Sequence, residues 1–348
     1  MKLWDKGGSV DRVMEAFTVG ADRVTDERLA RWDVVGSIAH ASMLGSVGLL
    51  TKDESQRLVD ALSLLLKEVD EHGLTIEPGV EDVHSQIEKI LTERLGDLGK
   101  KIHVGRSRND QVAVDLKLFL RHEVRQTRAL VLDLTEQLLE QAERHRDILL
   151  PGYTHMQVAM PSSFGLWFGG YAEALLEDVV MLDAAIYRAN ANPLGSGAGF
   201  GTDLPLDRGL TTEALNFDRL HVTSTYAQMS RGRTEAVVAT ALAHVASTLS
   251  DFATHVVLYM GQNHVFVTLP HDMTTGSSIM PHKKNPDIFE VLRARCGRLA
   301  ALPNELALVL ANLPSGYHRD LQFLKDRLIW GIAERQLCVQ LAMRVNAE

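Results

Sequence analysis

From Asp110 to Leu149 the chain reads DQVAVDLKLFLRHEVRQTRALVLDLTEQLLEQAERHRDIL, with neither glycine nor proline. Apolar side chains recur at helical spacing (Val112, Leu116, Phe119, Leu120, Val124, Leu130, Leu134, Leu138), and Glu, Arg and Lys fill the positions between them. A single helix over this stretch is about 55 to 60 Å long, well beyond an average globular helix. Similar runs follow at 162–190, 233–262, 287–312 and 319–346, and alternating strand patterns of useful length are scarce. The fold class this implies is all-α, a bundle of long helices.

One of these runs, EAVVATALAHVASTLSDFATHVVLYM (235–260), is apolar on nearly every face, and such a helix has to be covered all round. A bundle of five long helices cannot surround each of its members, so other copies of the chain are expected to cover the remainder. The segment before about 105 differs in texture. Shorter amphipathic pieces, TDERLARWDVVGSIAHASMLGSVGLL and KDESQRLVDALSLLLKEVDE, are joined by HGLTIEPGVED. The expected division is a small helical domain at 1–105 and the long-helix bundle at 106–348.

The 348 residues are 45% hydrophobic and 23% charged, an ordinary globular composition. Lys plus Arg number 36 against 45 Asp plus Glu, a net charge of -9, so no global field draws the chain to nucleic acid or an anionic membrane. The first residues, MKLWDKGGSV, contain no apolar signal core, and Glu235, His244, Asp251 and His255 interrupt the most apolar later stretch. Cys296 and Cys338 sit in apolar helical contexts without metal-ligand spacing, which suits core residues in a reducing compartment. A cytoplasmic protein is expected.

Several polar segments punctuate the helices. GSGAGFG (195–201) has the glycines of a dinucleotide turn, but a helical run precedes it and TDLPLD follows, so a turn lining a site is the better reading. HSQIE sets His84 and Glu88 one helical turn apart with no second pair to complete a metal site, which favours a solvated or hydrogen-bonded pair. GRSRNDQ (105–111) opens the longest helix. Asn109 or Asp110 can cap that helix, yet the unbroken polar run exceeds what a cap needs and suits carboxylate recognition. GYTHMQ (152–157) offers Thr154 and His155 on a loop or broken helix end between Pro151 and Pro161. YHRDLQFLK (317–325) puts Gln322 and Lys325 on one helix face, with Tyr317 just before. GSSIMPHKKNP (276–286) precedes a helix starting near Asp287, whose positive N-terminal end points back toward the loop. Lys283, Asn285 and free backbone amides there suit a receptor for developing negative charge on a carboxylate.

This last segment resembles the GSSxMPxKxNP signature of the fumarase/aspartase superfamily. GRSRNDQ, GYTHMQ, PLGSGAGFGTDLPLDR and YHRDLQFLK, in that order, resemble the argininosuccinate lyases within it. The resemblance implies a fumarase/aspartase-like helical bundle, a homotetramer with a helical core, and active sites each shared by three subunits. It also implies reversible cleavage of argininosuccinate to arginine and fumarate without metal or organic cofactor. Ser277 and His155 would exchange the two protons, with Glu290 raising the basicity of His155, while Lys283 and Asn285 stabilise an aci-carboxylate. Which of Ser277 and His155 is the base stays open. Ser107, Arg108, Asn109, Thr154, Tyr317, Gln322 and Lys325 match the positions that hold substrate. Other fumarate-releasing lyases, of adenylosuccinate, aspartate or malate, and a non-catalytic crystallin-like homologue are the alternatives. The chain departs from the family pattern at Gly20, where a serine is usual, at His282, where Gln is common, and in SRGRTE (230–235), which leaves open whether Arg231 or Arg233 contacts substrate. It also ends at Glu348, near where the family's C-terminal helical domain begins, so a truncated or shortened chain is expected.

Overall fold

The computed structural model describes residues 12–19, 22–276, 278–280 and 282–346. Among them are thirteen α-helices. Ahead of the long helices come α1 (Arg12–Val19), α2 (Asp22–Glu27), α3 (Ala30–Ser46), α4 (Lys52–His72), α5 (Val83–Leu95) and α6 (Asp97–Lys100). The long helices are α7 (Arg108–Arg144), α8 (Phe164–Ala189), α11 (Arg233–Met260), α12 (Asp287–Leu310) and α13 (Gln322–Asn346), with the short α9 (Arg208–Ala214) and α10 (Ser224–Met229) between α8 and α11. The all-α architecture and the five long runs are therefore observed. The 37 residues of α7 give it a length of about 55 Å.

The described residues divide into two compact units. One comprises those up to His122 with Tyr187–Glu235 and Leu308–Ile329; the other comprises Glu123–Ile186, Ala236–Ala307 and the residues from Trp330 onward. The N-terminal helical segment expected up to 105 lies within the first unit.

In that unit α3 packs against α4, burying Val34, Leu44, Leu58, Leu62 and Leu65 in one core. A Cβ on Gly45 would fall 2.4 Å from the Ser55 hydroxyl, so glycine is what permits this approach, and Ser55 Oγ donates to Ala41 O at 2.9 Å. A capping box opens α4: Thr51 Oγ1 accepts from Glu54 N, and Thr51 N donates to the Glu54 carboxylate. Such a cap contributes about 1 kcal/mol.

The second unit departs from expectation at two places. Residues 149–163 form an antiparallel hairpin, β1 (Leu149–Thr154) and β2 (Gln157–Ser163), rather than a loop or helix end. His155 and Met156 form its two-residue turn with φ of 52° and 60°, the doubly left-handed geometry that matches strand twist but that glycine or asparagine normally supplies. Pro151 and Pro161 pair directly across the ladder. The other departure is α11, whose exposed positions His244, Ser247, Asp251 and Thr254 make a polar stripe, while Val238, Leu242, Val245, Leu249 and Val256 are buried. The segment Ser224–Met260 is long and apolar enough by composition to cross a membrane, yet α11 serves as a core helix with its large aliphatic side chains turned inward. Apolar exposure falls instead on α8, at Leu166, Leu176 and Val180 (61% exposed), and on the hairpin at Leu149, Met156, Val158 and Met160. Cys296 and Cys338 are both free and buried, as expected of core residues.

Candidate active site

A cavity of about 240 Å³ in the first unit is lined by Arg108, Asn109, Tyr317, Gln322 and Lys325, five residues drawn from two motifs far apart in sequence. Arg108 and Asn109 are there because α7 begins beside it. Ser107 is the cap of that helix: its hydroxyl accepts from Asn109 N at 3.2 Å, and its own N–H donates to Asp110 Oδ1 at 2.9 Å. The cap is thus neither Asn109 nor Asp110 alone, because a serine placed three residues before an acid satisfies two backbone donors reciprocally. The other oxygen, Asp110 Oδ2, accepts from Gly195 N at 2.9 Å and Gly197 N at 3.0 Å. GSGAGFG is therefore a turn pinned to the head of α7, and Gly195 and Gly197 hold positive φ there.

The walls carry both signs of charge. Asp22, Asp26, Glu81 and Asp82 face Arg108, Arg319, Lys325 and His84. Lys325 Nζ lies 2.9 Å from Asp22 Oδ1 and 2.5 Å from Asp26 Oδ1. Burial works against its charge, but Asp26 and Asp22 outweigh it and hold the ammonium above its usual pKa. Burial, reinforced by the charge of Asp26, pushes Asp22 up to about 6 despite the attraction of Lys325. Arg108 Nη1 donates to Glu81 and Asp82 at 2.9 Å each, and its Nη2 reaches Ser85 Oγ. Gln322 Nε2 and Arg319 Nη2 both donate to Thr18 O. A site with carboxylates and cations in such balance suits a ligand that itself carries both carboxylates and cationic nitrogen.

His84 connects this pocket to a buried cluster. Its Nδ1 bonds Asp33 Oδ2 and lies 3.7 Å from Asp115 Oδ2, and Gln111 and Ser37 also donate to Asp33. Burial opposes the imidazolium, but the charge of Asp33 outweighs it and raises the His84 pKa; Asp33 is correspondingly lowered, with Arg106 adding to the effect. Burial, reinforced by the charge of Asp33, holds Asp115 well above the carboxylate range. The donor atoms of Asp33, His84 and Asp115 are close enough to surround a cation. Asp33 is already engaged by three side chains, and Arg106 supplies positive charge, so the cluster reads as a self-neutralised network rather than a vacant ligand set. Glu88 lies 3.9 Å from His103, so HSQIE does not pair His84 with Glu88.

The remaining expected residues belong to the second unit. Thr154 is the last residue of β1 and His155 the first of the turn, both exposed. His155 also borders a cavity of about 420 Å³ walled by Tyr153, Trp167, His255 and Tyr259. In the polar loop, Thr275 and Asn285 close the neck through backbone hydrogen bonds of 2.9 and 3.3 Å, and the Thr275 hydroxyl bonds Asp287 at the start of α12. Lys283 and His282 are exposed on the loop, Asn285 is half-buried, and Glu290 is exposed in the first turn of α12. Ser277, Pro281 and Gly20 lie outside the described residues. Among the described residues no ion pair joins His155 to Glu290 within one chain.

The acidic wall of the pocket was missed by sequence reasoning. Its signal was present in EPGVEDVHS and TDERLARWD, where carboxylates cluster beside helix starts, but nothing local showed that they face Lys325 and Arg108.

Comparison with known proteins narrows the reading. Residues 5–300 match a family described as lyase. The fold superposes on EDDS lyase in complex with formate with a TM-score of 0.80, at 25% identity, over 97% of this chain and 67% of that one. It also superposes on class II fumarase from Schistosoma mansoni with a TM-score of 0.79, over 92% of this chain and 75% of that one; at 17% identity this is a likeness of fold alone. The class is thus a fumarase/aspartase-like lyase. A protein of Bacteroides thetaiotaomicron named argininosuccinate lyase is 52% identical over 347 residues, covering 100% of this chain and 78% of that protein. The chain belongs to the argininosuccinate lyase family.

Proposed function

We propose that this enzyme cleaves argininosuccinate reversibly to L-arginine and fumarate, a step of arginine biosynthesis, in the cytoplasm. The observation that carries the reading is the pocket at the head of α7. There Arg108, Asn109, Tyr317, Gln322 and Lys325 meet four carboxylates, and argininosuccinate bears carboxylates, an ammonium and a guanidinium.

In the proposed reaction Ser277 takes the proton from the carbon next to a succinate carboxylate, which becomes a dianionic aci-acid. Lys283, Asn285 and the loop amides stabilise that charge. The electron pair then returns to form the double bond of fumarate and the carbon–nitrogen bond breaks. His155, supported by Glu290, protonates the departing guanidino nitrogen. Thr154 and Ser107 complete the substrate contacts. Each positioned proton transfer contributes about 10² to 10⁴ in rate.

The proposed assembly is a homotetramer in which a site takes residues from several subunits. The apolar exposure of α8 and the hairpin supports it, as does the lack of a His155–Glu290 ion pair within a chain among the described residues. The test is Ser277→Ala, followed by fumarate absorbance with argininosuccinate, adenylosuccinate, aspartate and malate as substrates. The wild type is expected to act on argininosuccinate, and the variant to lose at least about 10² in turnover while staying folded. Undiminished turnover in the variant, or a wild type that prefers another substrate, defeats the assignment.

A further inference from the structure

Tyr317 and Arg319 line the substrate pocket, but His318 between them, in extended backbone (φ -127°, ψ 142°), lines a different cavity of about 270 Å³ in the same unit. Arg231 enters that second cavity. It is only 6% exposed, and its Nε and Nη1 are buried without a hydrogen-bond partner. His318 Nε2 is also buried and unpartnered. The Tyr317 ring lies 5.5 Å from the Arg231 guanidinium carbon, a contact that engages its face and leaves Nε and Nη1 unused. Glu235 shares a smaller void with Arg231 but leaves its own Oε2 unpartnered.

The turn that carries Arg231 packs closely against Leu310. Gly232 holds a φ of +77° in the turn between α10 and α11, and a Cβ there would come 2.1 Å from Leu310 Cδ2. A guanidinium stays charged at any physiological pH, and a buried charge without a partner is costly. An anion received in the cavity relieves that cost. The remaining wall combines Gln228, Arg233 and Ser315 with hydrocarbon from Met229, Leu310, Leu313 and Leu321, an apolar part that a phosphate would leave unfilled.

We propose that this cavity binds a small organic carboxylate, separately from the substrate pocket, with Arg231 and His318 receiving the carboxylate and the leucines its hydrocarbon part. Calorimetric titration of butyrate into the full chain tests this, with inorganic phosphate in a parallel arm. A ligand of this size is expected to bind with a dissociation constant on the order of 1 mM. Arg231→Gln is expected to weaken butyrate at least about 10-fold, since a charge-assisted contact is lost. Leu313→Trp, which fills the apolar end and keeps the guanidinium, should do the same, whereas Gln322→Ala in the substrate pocket should leave butyrate binding unchanged. Should Arg231→Gln fail to fold by circular dichroism, Leu313→Trp decides alone. Absence of butyrate binding to the wild type overturns the proposal. So does unchanged affinity in Leu313→Trp or in a folded Arg231→Gln, loss of binding in Gln322→Ala, or phosphate binding as tightly as butyrate.

Discussion

Replacing Lys325 with methionine removes the ammonium that lies within hydrogen-bond distance of both Asp22 and Asp26. The Lys325 side chain is 5% exposed and that of Asp26 is 3% exposed, so water cannot take the place of the lost cation. Asp26 is then left as a buried carboxylate without its partner. Breaking a buried pair from one side costs about 3 to 5 kcal/mol. For a chain of this length, at about 2 °C per kcal/mol, that is a fall of roughly 6 to 10 °C in Tm. Adding Asp26→Asn to the same chain removes the stranded charge and should recover at least about 2 kcal/mol, a coupling typical of side chains in contact. The assay is urea denaturation at pH 7, followed by circular dichroism, for the two single variants and the double. A Lys325→Met cost below about 1 kcal/mol, or single-variant costs that simply add in the double, refutes the reasoning, since either would mean that the three side chains do not share one buried charge balance.

Other outcomes follow from the same structure. Asp22 has a folded pKa of about 6 against 3.8 for the ordinary carboxyl, so between those values the folded state holds more protons and its stability contribution falls as pH rises. Asp22→Asn should therefore gain stability relative to wild type from pH 4 to pH 6, as read by Tm across that range, and an unchanged difference would count against the burial of this carboxyl. If the proposed homotetramer forms through α8, Val180→Asp on its exposed face should lower the mass measured by light scattering, and an unaltered mass would remove α8 from the proposed interface. Arg335 is fully buried with Nε, Nη1 and Nη2 all unpartnered, so Arg335→Met should raise stability by about 1 to 4 kcal/mol in urea denaturation; a loss would show that the guanidinium is engaged.

The long helices were legible because their period is unbroken: α7 starts at Arg108, two residues before the periodic stretch, although it ends at Arg144, five residues short of Leu149, where β1 begins. The hairpin was not. Its strands carry prolines, which ordinarily demote a strand, and its turn places His155 and Met156 where sequence patterns lead one to look for Asn-Gly. The polar stripe of α11 was obscured by the many alanines around His244, Ser247 and Asp251, which read as apolar whichever way they face. Half of the pocket was visible in GRSRNDQ and YHRDLQFLK because those segments are polar where a helix start needs only one polar residue. The other half was hidden, since the Lys325–Asp26 bond spans 299 positions and no local pattern pairs residues at that separation.

Asp110 gives the glycine-rich turn a second meaning. One of its oxygens closes the first turn of α7 and the other holds the amides of Gly195 and Gly197, so a single carboxylate rivets together segments 85 positions apart. Displacing the turn would pull directly on the residues next to Arg108 and Asn109. Arg108 and Asn109 are therefore presented to the pocket from a helix end whose placement depends on one carboxylate held from both sides.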